Sequence, residues 1–224
     1  PGTTMTLLAN LLVIGLAHCG EPGLAWLRSL PDDYMTKKQT VSYAGLFDDV
    51  GADAWYASSV DYVKYGRLMY GTGNNLFQPD AQMTRAMFAQ VLYALEGSPS
   101  VRGLSCPFTD AGGSWYTDAV IWAYHAGVVA GVSATQFAPN EALTREQMVT
   151  MLYGYAGRDE QLYGSDGALA SYQDQASVSD WAREAMAWAV STGVITGTST
   201  TTLAPQKIGT RAEVATVLMQ FCEQ

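Results

Sequence analysis

The sequence predicts a mainly α-helical protein built from three helix–loop–helix repeats. Three observations predict this fold: residues recur at fixed offsets in three copies, the copies show apolar positions at helical spacing, and each copy places a threonine where a helix would begin. The chain has 224 residues, of which 48% are hydrophobic and 15% charged, so it is globular and can bury a sizeable core. Its formal net charge of −9 argues against nucleic acid as a partner.

The repeat is clearest when the chain is aligned on three tryptophans. Without any gap, a glycine, a proline and an arginine then follow at the same offsets in every copy. Each copy opens upstream on an aromatic residue followed two positions later by an aspartate, as in "FDD", "FTD" and "YQD". The aligned sets are Trp55, Trp115 and Trp181; Gly71, Gly131 and Gly197; Pro79, Pro139 and Pro205; and Arg85, Arg145 and Arg211.

The first helix of each repeat is predicted from its apolar face and its final glycine. Its predicted spans are Ala54–Tyr65, Trp115–Ala126 and Trp181–Thr192. Gly127 and Gly193 stand where a helix commonly ends on a left-handed residue. In the first copy the glycine comes one residue early, at Gly66, and Arg67 takes the aligned position.

The second helix of each repeat is predicted to start at Thr84, Thr144 or Thr210. The pairs Thr144 with Gln147 and Thr210 with Glu213 fit a capping box, in which each residue bonds the other's backbone N–H. Apolar residues flank two of these threonines as a hydrophobic staple would, namely Met83 with Phe88 and Leu143 with Met148. Three such helix pairs are expected to pack around a pseudo-threefold axis or to stack as a short solenoid.

These motifs resemble the S-layer homology (SLH) repeat of bacterial cell-surface proteins. The likeness runs from about Phe47 to the C-terminus and rests on the F-x-D opening, the Trp/Tyr pair, the G-V-V-x-G strip, the F-x-P turn and the T-R-A-E signature. It implies a pseudo-threefold spindle around a central three-helix bundle, with repeats at 47–97, 104–157 and 168–224. It also implies non-covalent anchoring to secondary cell-wall polysaccharide, commonly pyruvylated, that lies in grooves between repeats.

The same resemblance assigns candidate ligand-binding residues. These are Arg85, Arg145 and Arg211; the groove glycines Gly71, Gly131 and Gly197; and Trp55, Trp115 and Trp181 as stacking surfaces. An arginine just after a helix cap places a guanidinium fork beside free backbone N–H groups, where a sugar carboxylate would be held by two hydrogen bonds. On this account, replacing all three arginines should abolish wall binding without unfolding the protein.

Structural alternatives remain open for each of these residue types. The arginines could pair with an aspartate of a neighbouring repeat, the glycines could serve turns, and the tryptophans could belong to the core, as large aromatic residues usually do. The candidate aspartates are Asp49, Asp110 and Asp174.

The signature also departs from the family pattern. Met87 and Gln147 replace the signature acid, Glu146 replaces an alanine, Gln206 replaces the Asp or Asn after the turn proline, and Gly209 replaces a staple residue. Not every groove therefore needs to be competent, and a structural or protein-interaction spacer remains the alternative function.

Catalysis is not indicated. His18 and His125 lie in no catalytic motif, and no nucleophile elbow or phosphate-binding loop occurs. Two of the 21 acidic residues could still form a glycan hydrolase site. We expect no cofactor and no metal, because Asp48, Asp49 and Asp53 lack the spacing of a calcium loop.

Residues 1–46 have no assigned role. Met5–Ala17 and Leu24–Leu30 read as two short helices, and the first is too short to span a bilayer. We therefore expect no membrane insertion. The resemblance to SLH repeats implies an extracellular location at the cell wall or S-layer and a chain that forms part of a larger surface protein. The odd number of cysteines favours buried thiols over a Cys106–Cys222 bridge, and Cys19 has no evident partner.

Overall fold

A computed structural model describes residues 46–157, 164–165 and 167–223. The two helices predicted at Met5–Ala17 and Leu24–Leu30, together with Cys19, lie outside the described residues. Cys106 and Cys222 carry reduced thiols, the first half-buried and the second buried.

The described residues are mainly α-helical, as predicted. The six α-helices are α1 (Ala57–Tyr65), α2 (Arg85–Leu95), α3 (Thr117–His125), α4 (Arg145–Ala156), α5 (Arg183–Ser191) and α6 (Arg211–Cys222). Two short 3₁₀ turns, Gln175–Ser177 and Asp180–Ala182, precede α5. Within these residues extended pairing is limited to isolated bridges, such as Thr84 with Ala142 and Thr144 with Ile208. None of the described helices is long and apolar enough to cross a bilayer.

The first helix of each repeat begins two or three residues later than predicted. Trp55 and Trp115 lie in turns ahead of α1 and α3, and Trp181 lies in the 3₁₀ turn before α5. The residues that cap these helices are Tyr56, Tyr116 and Ala182, and none of them caps with a side-chain hydrogen bond. With no capping side chain in the sequence, the pattern of apolar residues alone placed the start too early.

The predicted helix ends are confirmed. Gly127 and Gly193 adopt positive φ angles of 70° and 78° directly after the C-cap residues of α3 and α5. In the first repeat Gly66 keeps an ordinary helical φ, and Arg67 takes the left-handed conformation at φ 56°. A residue with a Cβ adopts this conformation at a cost, so the repeat geometry prevails over the local preference of arginine.

The second helices begin directly after the predicted threonines. Thr144 and Thr210 form full capping boxes with Gln147 and Glu213. Thr84 accepts only the N–H of Met87, at 3.3 Å, because methionine has no side-chain acceptor to complete the box. The signature threonine is therefore a helix cap in all three repeats, as the sequence predicted.

The chain divides into two compact units. One comprises the described residues up to Ala81, Ala94–Gly97 and the described residues from Thr210; the other comprises Gln82–Tyr93 and the described residues of 98–209. In the first unit α6 packs on α1. In the second unit α4 packs on α5, and Tyr93 of α2 lies against Trp122 of α3 with ring centroids 5.6 Å apart. The second helix of each repeat thus contacts the first helix of the next repeat, in the order first, second, third and back to first.

A closed ring of three hydrogen bonds joins equivalent residues of the repeats within the second unit. Leu143 donates its N–H to Met83 at 2.8 Å, Gly209 donates to Leu143 at 2.9 Å, and Met83 donates to Gly209 at 3.0 Å. Each residue stands directly before a capping threonine. Such a ring needs three repeats arranged cyclically at this point, so a linear stack does not describe it. The complete spindle and the repeat boundaries remain predictions.

Candidate functional site

The signature arginine of each repeat binds the backbone of the next repeat. Nε of Arg85 donates to the carbonyl oxygen of Phe137 at 2.8 Å, and Nη2 donates to that of Ala130 at 3.1 Å. The same two nitrogens recur in the other copies. Arg145 binds Leu203 at 3.2 Å and Thr196 at 2.7 Å, and Arg211 binds Phe77 at 2.7 Å and Tyr70 at 2.6 Å. One acceptor is always the turn residue two positions before the proline, and the other directly precedes the aligned glycine.

This arrangement buries the three arginines. Arg85, Arg145 and Arg211 are only 6%, 5% and 9% exposed. Burial lowers the pKa of Arg85 and Arg211, although nearby carboxylates oppose this, Glu141 and Asp110 for Arg85 and Asp49 for Arg211. In every repeat the Nε–Nη2 edge of the fork donates to two backbone carbonyls.

The aspartate of each F-x-D opening binds the same turn from the other side. Asp110 accepts the N–H groups of Phe137 and Ala138 at 2.9 and 2.8 Å. Asp49 and Asp174 do the same with the equivalent pairs Phe77–Gln78 and Leu203–Ala204. Desolvation raises the pKa of Asp110, but these two N–H groups and the charge of Arg85 lower it more. For Asp174 the N–H of Leu203 is the main cause of a lowered pKa.

The residue directly before the proline of each turn has left-handed backbone geometry. Gln78, Ala138 and Ala204 have φ angles of 57°, 59° and 53°. None of them is glycine, so each pays about 1 kcal/mol or more for this conformation. The aspartate accepts the N–H of this very residue, which offsets the strain and presents the preceding carbonyl to the arginine.

The aligned glycines are required by packing within their own repeat. A Cβ on Gly71 would stand 2.7 Å from Cε1 of Phe47 and 2.9 Å from the carbonyl oxygen of Leu76. Gly131 and Gly197 are equally crowded, by Phe108 and Tyr172 and by neighbouring carbonyl oxygens. The absence of a side chain at these positions therefore has a structural cause. Each glycine directly follows a residue whose carbonyl oxygen accepts from the arginine, so this loop lies at the candidate groove.

The three tryptophans are exposed. Trp55, Trp115 and Trp181 are 65%, 61% and 58% exposed, so the expectation that they belong to the core is wrong. Trp55 and Trp115 meet the next tyrosine edge-on, with ring centroids 5.2 and 5.1 Å apart. One large aromatic residue is therefore exposed at the same place in all three repeats.

Two of the departures in the second and third repeats, Glu146 and Gln206, belong to one cluster. Glu146 is 2% exposed, and its carboxylate accepts from the backbone N–H and hydroxyl of Ser179 at 3.0 and 2.8 Å. Gln206 donates its Nε2 to the same carboxylate at 2.7 Å. In the other copies the position of Glu146 is held by Ala86 and Ala212, which are buried methyl groups. The two unusual residues Glu146 and Gln206 are thus partners across the junction of repeats two and three.

The comparison with known families agrees with the repeat alignment. The family model described as "S-layer homology domain" matches residues 46–89, 107–149 and 171–215, which is more than half of the chain. The chain belongs to the S-layer homology domain family. SLH domains anchor proteins at the bacterial cell surface, and the chain is accordingly assigned to the cell wall or S-layer.

Relatives of this SLH chain include both S-layer proteins and polysaccharide-degrading enzymes. It is 29% identical over 180 residues to "Exoglucanase XynX" of Acetivibrio thermocellus, matching 80% of this chain and 16% of that protein. It is 27% identical over 178 residues to "S-layer protein sap" of Bacillus anthracis, matching 80% of this chain and 21% of that protein. The chain therefore spans about a fifth or less of these relatives. The enzyme-named relatives are multidomain proteins that carry SLH anchors.

Two features of the turn were not predicted from the sequence. They are the aspartate that accepts the N–H groups of the turn and the left-handed residue before the proline. A signal was present, because the aspartate and the turn recur together in all three copies. The sequence suggested the aspartate only as an ion-pair partner of the arginine. In the structure both side chains form hydrogen bonds with the same turn residue.

Proposed function

We propose that this SLH chain attaches a larger surface protein non-covalently to an anionic secondary cell-wall polysaccharide, such as one bearing pyruvate ketals. The observation that supports this most is the set of three equivalent, exposed tryptophans in a family of cell-surface anchors. An exposed indole offers an apolar face to a sugar ring, and linked weak sites raise the overall affinity by avidity.

The arginines contribute to this function mainly by building the groove. Their Nε and Nη2 atoms fix the loop beside the aligned glycines. Nη1 of Arg85 and of Arg211 retains further N–H donors, because a guanidinium carries five and the two backbone bonds use only two. The positive charge of each guanidinium group also makes the electrostatic potential favourable for an acidic sugar substituent at the edge of the groove.

The test is co-sedimentation of the chain with purified wall polysaccharide. The triple variant W55A/W115A/W181A is expected to fold, because these side chains are exposed, and to lose co-sedimentation. Exposed Leu104 provides a control, since L104A removes an apolar side chain outside the aligned positions. Co-sedimentation retained by the folded triple variant would contradict the assignment of the tryptophans.

A spacer without glycan binding is the second candidate. It is favoured by the burial of the arginines and by the occupation of their donors with backbone carbonyls. Failure of the unsubstituted chain to bind any wall preparation would support the spacer. Release of reducing sugar from the same polysaccharide would instead indicate hydrolysis.

A further inference from the structure

The three arginine positions differ in the groups that surround them. Around Arg211 the loop residue that accepts its Nη2 is Tyr70, whose side chain is 59% exposed. The equivalent residues at the other two positions are Ala130 and Thr196, which have no ring. The Arg211 position therefore has an exposed aromatic side chain directly attached to the backbone that the guanidinium binds.

A second cation lies at this same position. Nζ of Lys64 is 5.6 Å from the ring centroid of Tyr70 and 5.7 Å from that of Phe47. The residues aligned with Lys64 in the other repeats are Tyr124 and Val190, which carry no positive charge. Lys64, Tyr70 and Arg211 together supply an ammonium group, a ring face and a guanidinium group, which are the groups that an acidic sugar needs.

The Arg85 position also carries an acidic group whose counterpart at the Arg211 position is uncharged. The backbone N–H of Arg85 binds the carbonyl oxygen of Glu141, and the Glu141 carboxylate lies close enough to interact with the guanidinium. The aligned residue at the Arg211 position is Ala81. A carboxylate beside the guanidinium opposes the binding of a second negative charge, and the Arg211 position lacks this one.

We propose that the three positions are unequal and that the cluster of Lys64, Tyr70 and Arg211 is the principal site for the anionic sugar. This inference rests on the proposed function. Lys64 binds the acidic substituent, the ring of Tyr70 stacks on the sugar, and Arg211 keeps the loop in place. The valence of this chain for the polysaccharide is then lower than its three repeats indicate.

The experiment uses the full chain and a pyruvylated N-acetylhexosamine methyl glycoside as the probe, measured by calorimetry and by native mass spectrometry. The variants are K64Q and Y70A, both at partly or fully exposed side chains. The control is K207Q, which makes the same change of charge beside the Arg145 position, where Arg145 donates its backbone N–H to the Lys207 carbonyl oxygen. Thermal unfolding of each variant establishes that it is folded.

We expect one dominant bound probe, a loss of affinity of about tenfold for K64Q and for Y70A, and a change of less than about twofold for K207Q. Equal losses for K64Q and K207Q, or three equivalent bound probes, would overturn the inference and leave the proposed function standing. Absence of binding to the unsubstituted chain would overturn both. Binding of the unpyruvylated glycoside with equal affinity would overturn the role given to Lys64.

Discussion

Arg85 and Asp110 hold the same residue from opposite sides. Nε of Arg85 binds the carbonyl oxygen of Phe137 at 2.8 Å, and the carboxylate of Asp110 binds the N–H of Phe137 at 2.9 Å. The guanidinium carbon also lies 4.7 Å from the centroid of the Phe137 ring. Because Arg85 belongs to one repeat and Asp110 to the next, this contact defines how the two repeats join. Its hydrogen bonds recur at the other two junctions, whereas the ring contact recurs with Phe77 but not with Leu203.

Substitution R85K is expected to lower the free energy of unfolding by about 2–4 kcal/mol. A lysine carries its charge on a single ammonium group, so it cannot donate to both backbone carbonyls in the planar geometry of a guanidinium group. Urea unfolding followed by circular dichroism measures the change. R102K in the exposed linker is the control and should change stability by less than about 0.5 kcal/mol. Equal stability of R85K and R102K would show that the arginine is not a structural element of the junction.

Substitution D110N is expected to lower the free energy of unfolding by about 1–3 kcal/mol. An asparagine keeps one acceptor oxygen but turns an NH₂ group toward one of the two N–H groups of the turn. The same urea unfolding measures it at neutral pH. T109S, at the exposed neighbouring residue, is the matched control, and a loss no larger than that of T109S would contradict the role of the carboxylate.

The lowered pKa values of Asp110 and Asp174 also predict acid sensitivity. A carboxyl group whose pKa is lower in the folded state stabilises the fold above its ordinary pKa and loses that contribution as the pH falls through the lowered value. Stability should therefore fall as the pH drops below about 4. In the variant D110N/D174N the loss of stability in this pH range should be smaller than in the unsubstituted chain. Parallel pH profiles for the variant and the unsubstituted chain would show that these groups do not cause it.

The sequence allowed prediction of whatever depends on local signals. The helices, the capping threonines and the helix-ending glycines all follow from residues within a few positions of one another, and the repeat follows from the recurrence of these local patterns along the chain. Exposure of Trp55 could not be predicted this way, because a tryptophan is equally suited to a core. The role of Arg85 could not either, since its acceptors lie 45 and 52 residues further along the chain. Only the folded arrangement brings them together.

Substitution R67G is expected to raise the free energy of unfolding by about 0.5–1 kcal/mol. Arg67 adopts a left-handed conformation where the other repeats have glycine, so glycine removes the strain. The reciprocal change G127A introduces the same strain and should destabilise by about 1 kcal/mol. No atoms lie within contact distance of a Cβ on Gly127, so backbone conformation is the only cause of its effect. Shifts of the same sign in the two variants would contradict this explanation.

Substitution E146Q is expected to lower the free energy of unfolding by about 1–3 kcal/mol. The new amide would place its NH₂ group against the donors of Ser179 or Gln206, which now bind the carboxylate. E223Q makes the same change of charge at an exposed residue and should have little effect. Chemical denaturation measures the free energy of unfolding of both variants. Similar free energies would show that the buried cluster does not stabilise the junction.

The most direct test of the account compares binding of the full chain to one wall polysaccharide before and after chemical removal of its pyruvate. The measurement is the equilibrium dissociation constant on immobilised polysaccharide, at fixed ionic strength. The account predicts clear binding to the pyruvylated form and a loss of affinity of at least about tenfold after removal. Unchanged affinity for the stripped polysaccharide would contradict the claim that an acidic sugar substituent is what this SLH chain recognises.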